Sequence, residues 1–391
     1  MTQSLLSLLD PAYAVRILSD MIAIDSIVGN EGDLAHYLHR ELADLGLECQ
    51  LQEVEPGRFN VYARLEGVGP GRRLNLCGHT DTVPVCEGWD TDPFTPVTRE
   101  DRLYGLGACD MKGGIACVLA TLKAFAESGY PFQGELSFAG VIDEEAYSKG
   151  ALAMMETGWS AIDAMIIAEP YSADQTKPLP LGITGKVLYE IEVEGHAAHG
   201  FHPELGINAI EEAAKIISAL PRLPMRDHPD FGRGNYCTLK FEGGYEVYAV
   251  LVPDRCRVEI NRLLVPGETA AAAIEDLETL IHSLDLSARV RVGLKPPQYE
   301  PFLMNRDEPI VTVFHDVYQK IMGAEPVYTY SQGITDAYVF GQHGIPCLHL
   351  GPARGNVHQP NEYVDLDWLA RLPVLYALIA ARFLAEGARQ A

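Results

Sequence analysis

Three segments of this chain close an apolar run with histidine or acidic residues, and a fourth brings an aspartate out of a glycine-rich turn. Leu74 to Cys77 leads into Gly78-His79-Thr80-Asp81-Thr82-Val83-Pro84, and a glycine-rich turn, Gly105-Leu106-Gly107-Ala108-Cys109, delivers Asp110. Leu136 to Ile142 ends in Asp143-Glu144-Glu145, and Met165 to Ala168 ends in Glu169-Pro170. Carboxylates gathered without a counter-charge repel and raise one another's pKa, and a divalent cation removes that cost. Mixed His, Asp and Glu donors suit zinc and its neighbours, whereas calcium and magnesium are held by oxygen almost alone. Asp81, two residues beyond His79, is placed to bond a ligating imidazole and fix its tautomer. A lone His-x-Asp or Asp-Glu-Glu is ordinary loop polarity. Four such segments, three after apolar runs and one after a glycine-rich turn, point together to a metal centre.

The elements that must position these residues follow from the periodicity. Residues 11–24 and 31–46 carry apolar side chains at helical spacing, and 113–128 reads as a helix with glycine at its start. The short apolar runs between them read as strands, so the first part of the chain is an α/β sheet covered on both faces. In open α/β sheets ligand sites form just outside the carboxyl ends of the strands, where distant loops meet. From Ile183 the texture changes: KVLYEIEVEG alternates strictly, and it is followed by a helix (207–220), strand-like runs at 236–241 and 247–260, an Ala-rich helix (268–283) and a strand (288–294). That β-α-β-β-α-β order is a small open sheet with two helices on one face, a ferredoxin-like α+β unit. Lys295-Pro296-Pro297 marks the return to α/β texture. The expected plan is an α/β catalytic domain in two parts, 1–182 and 295–391, interrupted by an inserted lid or dimerisation domain at 183–294.

Composition narrows the partners. Of 391 residues, 30 are Lys or Arg and 54 are Asp or Glu, giving a net charge of −24 that repels a phosphate backbone, so no nucleic acid is expected. The eight cysteines form no C-x-x-C pair and read as free thiols. No apolar run reaches the roughly 18 residues that a membrane-spanning helix needs, and the start of the chain lacks the basic region of a signal peptide, so a cytoplasmic address without membrane attachment is expected.

Together, GHTDTVP (78–84), GLGACDMKGG (105–114), DEE (143–145), AEP (168–170), GHAAHGFHPELGINAI (195–210) and GNVHQPNEYV (355–364) resemble the co-catalytic zinc aminoacylase/peptidase family of M20 type. Acetylornithine deacetylase, succinyl-diaminopimelate desuccinylase and glutamate carboxypeptidase belong to that family. The resemblance spans nearly the whole chain, with six motifs in the family's order. It implies a zinc-peptidase-like catalytic domain with an inserted lid, and two divalent ions, zinc or alternatively cobalt or manganese, bridged by Asp110. His79 and Glu169 would complete one site, and Glu145 and His358 the other. Glu144 matches the general base that activates a metal-bridging water, and Asp81 the residue supporting His79. His199, selected from His196, His199 and His202 by the spacing of the lid motif, would bond the substrate carbonyl or oxyanion. The peptide bond after Asp110 would be cis.

Looser matches assign substrate contacts to Arg262, which stands one place off the register of some relatives, and to Thr335 in SQGITDAYVF. The implied reaction is amide hydrolysis of an N-acyl-L-amino acid, as in acetylornithine or succinyl-diaminopimelate deacylation. The alternative is a carboxypeptidase or dipeptidase on the same centre. A homodimer through the inserted domain is also implied. A dinucleotide fingerprint would need glycine where Asp110 stands, and no G-x-S-x-G of a serine hydrolase is present.

Overall fold

The computed structural model describes residues 2–352 and 355–387, which divide into two compact units. Unit 1 comprises residues up to Leu181, Met304–Thr329 and the described part of Thr335–Ala391; unit 2 comprises Gly182–Leu303 with Tyr330–Ile334.

Unit 1 is built on a six-stranded sheet in the order Glu48–Glu55, Arg58–Glu66, Glu135–Val141, Arg73–His79, Ala164–Ile167, Cys347–His349. The last four are mutually parallel, and the first two form an antiparallel edge. The parallel strands are buried on both faces, which is why they read as continuous apolar runs rather than as alternation. The helix Pro11–Ile22 starts at an Asp10 cap, whose side chain accepts from the Ala12 N–H, with Pro11 in its first turn. The helix Lys112–Ser128 is buried along most of its length. Gly114 lets its first turn lie against the strand end at Ala168, where a Cβ would fall 2.2 Å from the Ala168 carbonyl oxygen.

A second, three-stranded antiparallel sheet pairs Val97–Arg99 with Arg102–Tyr104 and the latter with Tyr363–Asp365. It fixes the loop after residue 355 beside the glycine-rich turn. Contrary to the expectation from the sequence, the helix Leu366–Gly387 contains a stretch, Leu366–Ala385, long and apolar enough to cross a bilayer. It serves as a core helix: most of the stretch is buried, and it packs on the helices Lys112–Ser128 and Pro309–Met322.

Unit 2 is a four-stranded antiparallel sheet, Tyr236–Gly243, Arg255–Leu264, Gly185–Glu194, Arg289–Tyr299, with the helices Ala209–Ala219 and Ala270–His282. Its core joins Val187, Tyr189, Ile191 and Val193 to Val258, Ile260, Ile216 and Leu277. Two details differ from the sequence reading. Residues 247–254 form no strand, because Gly244 turns the chain at φ +89° and the ladder resumes only at Arg255. Lys295-Pro296-Pro297 lies inside the last strand. The Pro296–Pro297 bond is cis, and the ladder skips from Lys295 to Tyr299 on an edge strand, where missing N–H donors are tolerated.

Arg262 shares the buried face of its strand with Val258, Ile260 and Leu264. Its guanidinium bonds Glu268 at 2.7 Å, Asp276 and the Tyr189 hydroxyl at 3.1 Å, and the Pro224 carbonyl at 3.0 Å. Removing one partner of a buried ion pair strands the others. Asp276 keeps a third of its surface, so Arg262→Ala should destabilise unit 2 by about 3 kcal/mol, the low end for such pairs. Urea denaturation followed by hydrogen exchange in unit 2 would measure the loss.

Candidate metal centre

The parallel strands of unit 1 share one carboxyl edge. His79 is the last residue of its strand, Asp143-Glu144-Glu145 follows Val141, and Glu169 lies two residues past Ile167. Asp110 arrives from the glycine-rich turn, just ahead of the helix Lys112–Ser128. Gly107 takes φ +76°, a left-handed conformation that disfavours other residues, and the Asp110–Met111 bond is cis. His358 comes from the loop before Tyr363–Asp365, with φ +58°.

These side chains converge. His79 Nε2 lies 3.2 Å from Asp110 Oδ1 and 3.7 Å from Glu169 Oε1. His358 Nε2 lies 2.8 Å from Glu145 Oε1 and 3.5 Å from Asp110 Oδ2. The two oxygens of Asp110 thus face two different imidazoles. One potential donor atom each from His79, Asp110 and Glu145 lies within 4.8 Å of the others, and the same holds for His79, Glu144 and Glu169. This donor set fits two divalent cations sharing Asp110, and two imidazoles among carboxylates favour zinc-like ions over calcium or magnesium.

The electrostatics carry the same demand. Burial, reinforced by the Asp110 charge, pushes the Glu169 carboxyl up to about 8. Burial and the Glu169 charge push Glu144 well above the carboxylate range. Burial also opposes ionisation of Asp110, but its hydrogen bond and charge attraction to His79 outweigh this and hold it low. The hydrogen bond to Glu145 raises His358 to about 9.

Asp81 is buried here, but in a different posture from the expected one. His79 Nδ1 lies 3.0 Å from the Asp81 main-chain carbonyl and 3.7 Å from its carboxylate. The carboxylate instead accepts the N–H groups of Glu144 at 3.2 Å and Glu145 at 2.9 Å. One residue therefore orients the imidazole through its backbone and holds the Glu144–Glu145 loop through its side chain. Arg58 supports that loop from below, bonding Asp143 at 2.7 Å and Glu31 at 2.8 Å.

Two assigned substrate contacts need correction. Arg262 is 1% exposed, and its guanidinium is engaged inside unit 2 as described, so it presents no donor to a substrate carboxylate. Thr335 is 4% exposed, with its hydroxyl 2.8 Å from His349 Nε2 and accepting the Ala337 N–H. That hydroxyl positions a buried histidine. His199 belongs to unit 2, where it is exposed and its Nδ1 accepts the Phe201 N–H at 3.2 Å. The sequence reading missed Glu362 and Lys112. Both are buried in unit 1, and both lay inside quoted motifs, where an acid or lysine within a ligand-bearing loop was the available signal.

A sequence profile of peptidase family M20/M25/M40 matches residues 76–382. The chain is 28% identical over 391 residues to the succinyl-diaminopimelate desuccinylase of Legionella pneumophila (strain Lens), covering 95% of this chain and 99% of that one. It is 30% identical over 377 residues to the N-formyl-4-amino-5-aminomethyl-2-methylpyrimidine deformylase of Bacillus subtilis (strain 168), covering 87% and 86%. An M20 family metallo-carboxypeptidase from Sulfolobus solfataricus shares the fold, with a TM-score of 0.76 at 18% identity over 95% and 99% of the chains.

Chelator-treated protein titrated with Co²⁺ should take up as many as two ions per chain. Asp110→Asn should weaken both binding events, whereas His358→Ala should weaken one. Calorimetric stoichiometry is the check, and unaltered uptake by Asp110→Asn would remove the shared-ligand assignment.

Proposed function

We propose, from the premise that this chain belongs to peptidase family M20/M25/M40, that it hydrolyses the amide bond of an N-acyl-L-amino acid. The observation that carries this reading is the Asp110 carboxylate spanning His79 and His358 with Glu144 alongside. The names of the relatives support it, since removing a succinyl or a formyl group from nitrogen is amide hydrolysis that releases an amine.

His79, Asp110, Glu145, Glu169 and His358 would hold two divalent ions, zinc by the donor set. When bound, such ions acidify water and stabilise negative charge on a carbonyl oxygen. Glu144 is the general base: its carboxylate takes a proton from the attacking water as the new C–O bond forms. The same carboxyl then returns the proton to the leaving nitrogen as the C–N bond breaks, giving a carboxylate and an amine. Asp81 keeps Glu144 in place through the backbone bonds already described. His199 supplies a further hydrogen bond to the developing oxyanion. Its exposure on unit 2 leaves the ring available for that contact.

Unit 2 is also the proposed homodimer surface. Its edge strand Tyr236–Gly243 is exposed over most of its length, with Leu239 at 60%, and Tyr248 nearby at 95%. An unpaired apolar edge of this kind invites pairing with a second strand. The proposed compartment is the cytoplasm.

A screen of N-acyl amino acids and dipeptides with Zn²⁺, Co²⁺ and Mn²⁺ supplied separately should give turnover on the acyl amino acids. Turnover on dipeptides alone would make the protein a peptidase on the same centre. Glu144→Gln should lower turnover by about 10²–10⁴ with metal content near wild type. Full activity in that variant would exclude the base assignment. His199→Ala should cut kcat by about 10²–10³ without loss of metal, and an unchanged kcat would remove it from the reaction.

A further inference from the structure

Every N–H from Gly105 to Asp110 has a partner, and the partners are unevenly shared. Leu106 donates to the Pro93 carbonyl and Ala108 to the Gly105 carbonyl. The other four donate to one residue, Glu362. Gly105 reaches its main-chain carbonyl at 3.0 Å, Gly107 its Oε2 at 2.9 Å, and Cys109 and Asp110 its Oε1 at 2.8 and 2.9 Å. The antiparallel register explains the meeting. Tyr363 pairs with Tyr104, so the next step sets Glu362 opposite Gly105, and its side chain enters the turn.

Glu362 is 2% exposed. A buried carboxylate is costly unless its lone pairs are filled, and charge-assisted bonds to backbone N–H groups are among the strong ones. The turn is held from its other end by Lys112, buried, whose Nζ donates to the Met21 and Ile24 carbonyls at 2.9 and 3.0 Å. Glu362 also lies four residues after His358. A single loop therefore sets one imidazole on the Asp110 carboxylate and takes the Asp110 backbone N–H.

We infer that Glu362 is a positioning residue for the metal centre: its carboxylate shapes the Gly105–Asp110 turn, and so aims the Asp110 carboxylate at His79 and His358 together. The inference rests on the hydrolase reading above and extends it to a residue that touches neither metal nor substrate. Glu362→Gln keeps the size but replaces one acceptor oxygen by an NH₂ group. Whichever way the amide turns, a donor then faces a backbone donor. Glu362→Asp keeps both oxygens but falls one methylene short. Ligand sets tolerate displacements of only about 0.5 Å, and changes to groups supporting ligands typically lower metal affinity by about 10–100-fold.

The test uses the full chain. In chelator-treated protein, hydrogen exchange of the peptide covering 105–111 should accelerate in Glu362→Gln. Calorimetry with Co²⁺ should show affinity reduced about 10–100-fold, with an altered visible absorption band, and Glu362→Asp should fall between Glu362→Gln and wild type. On the substrate found by screening, kcat should drop with KM little changed. Glu268→Gln, which disturbs the Arg262 cluster in unit 2, should lower stability yet leave the cobalt spectrum alone, separating positioning from general loosening. Wild-type cobalt affinity and spectrum in both Glu362 variants would overturn the inference. If Glu362→Gln fails to fold, Glu362→Asp decides it by the same readings. Absence of cobalt uptake by the wild type would instead overturn the hydrolase reading. The exchange comparison would still judge the clamp, and unchanged exchange would refute it.

Discussion

Four carboxylates, Asp110, Glu144, Glu145 and Glu169, and two imidazoles, His79 and His358, share the edge where the parallel strands end. Like charges at such spacing oppose one another's ionisation, and the relief comes mainly from the two imidazoles, since the nearby Arg58 is engaged by Asp143 and Glu31. Much of unit 1 serves to keep this unfavourable gathering together. The strands end in step, Asp81 ties the Glu144–Glu145 loop to the His79 strand, and the small sheet beside the edge brings in His358 and Glu362. Divalent cations would complete the arrangement, because they would turn the repulsion that the fold sustains into coordination.

Much of this was legible in the residues. The apolar runs that became the central parallel strands were visible because burial on both faces removes polar alternation, and Gly107 and Gly114 marked a turn and a close helix start. The ligand loops were visible because acids or histidine follow three apolar runs and a glycine-rich turn, a combination that bland loops rarely produce together. Glu362 was not singled out. An acid two residues after Pro360 looks like any solvated loop position until the Tyr363–Tyr104 pairing folds it inward. Its partners are backbone N–H groups, which leave no trace in side-chain identity.

Arg262 and Thr335 show the opposite failure. Each is polar, lies in a segment resembling a substrate-binding stretch, and is buried against other polar groups. Motif position alone cannot say which face of a strand a side chain occupies, and a one-residue offset reverses it. In unit 2 that offset turned a potential substrate contact into the centre of an ion-pair cluster holding Glu268, Asp276 and Tyr189. Pro296-Pro297 misled for a related reason. Paired prolines suggest the end of a strand, whereas an edge strand accommodates them by skipping ladder positions.

The loop bearing His358 and Glu362 is translated after everything else the centre requires, and after all of unit 2. Domains generally fold as they emerge from the ribosome. The central strands and the Asp110 turn can therefore assemble on a nascent chain while the acceptors for the Gly107, Cys109 and Asp110 N–H groups are still unmade. Assembly of the candidate centre thus waits for the loop of His358 and Glu362, which follows its other members in the sequence. A chain interrupted before residue 358 would carry His79 and the four carboxylates Asp110, Glu144, Glu145 and Glu169 but neither His358 nor Glu362, so the crowding of charge would precede two of the groups that hold it in place.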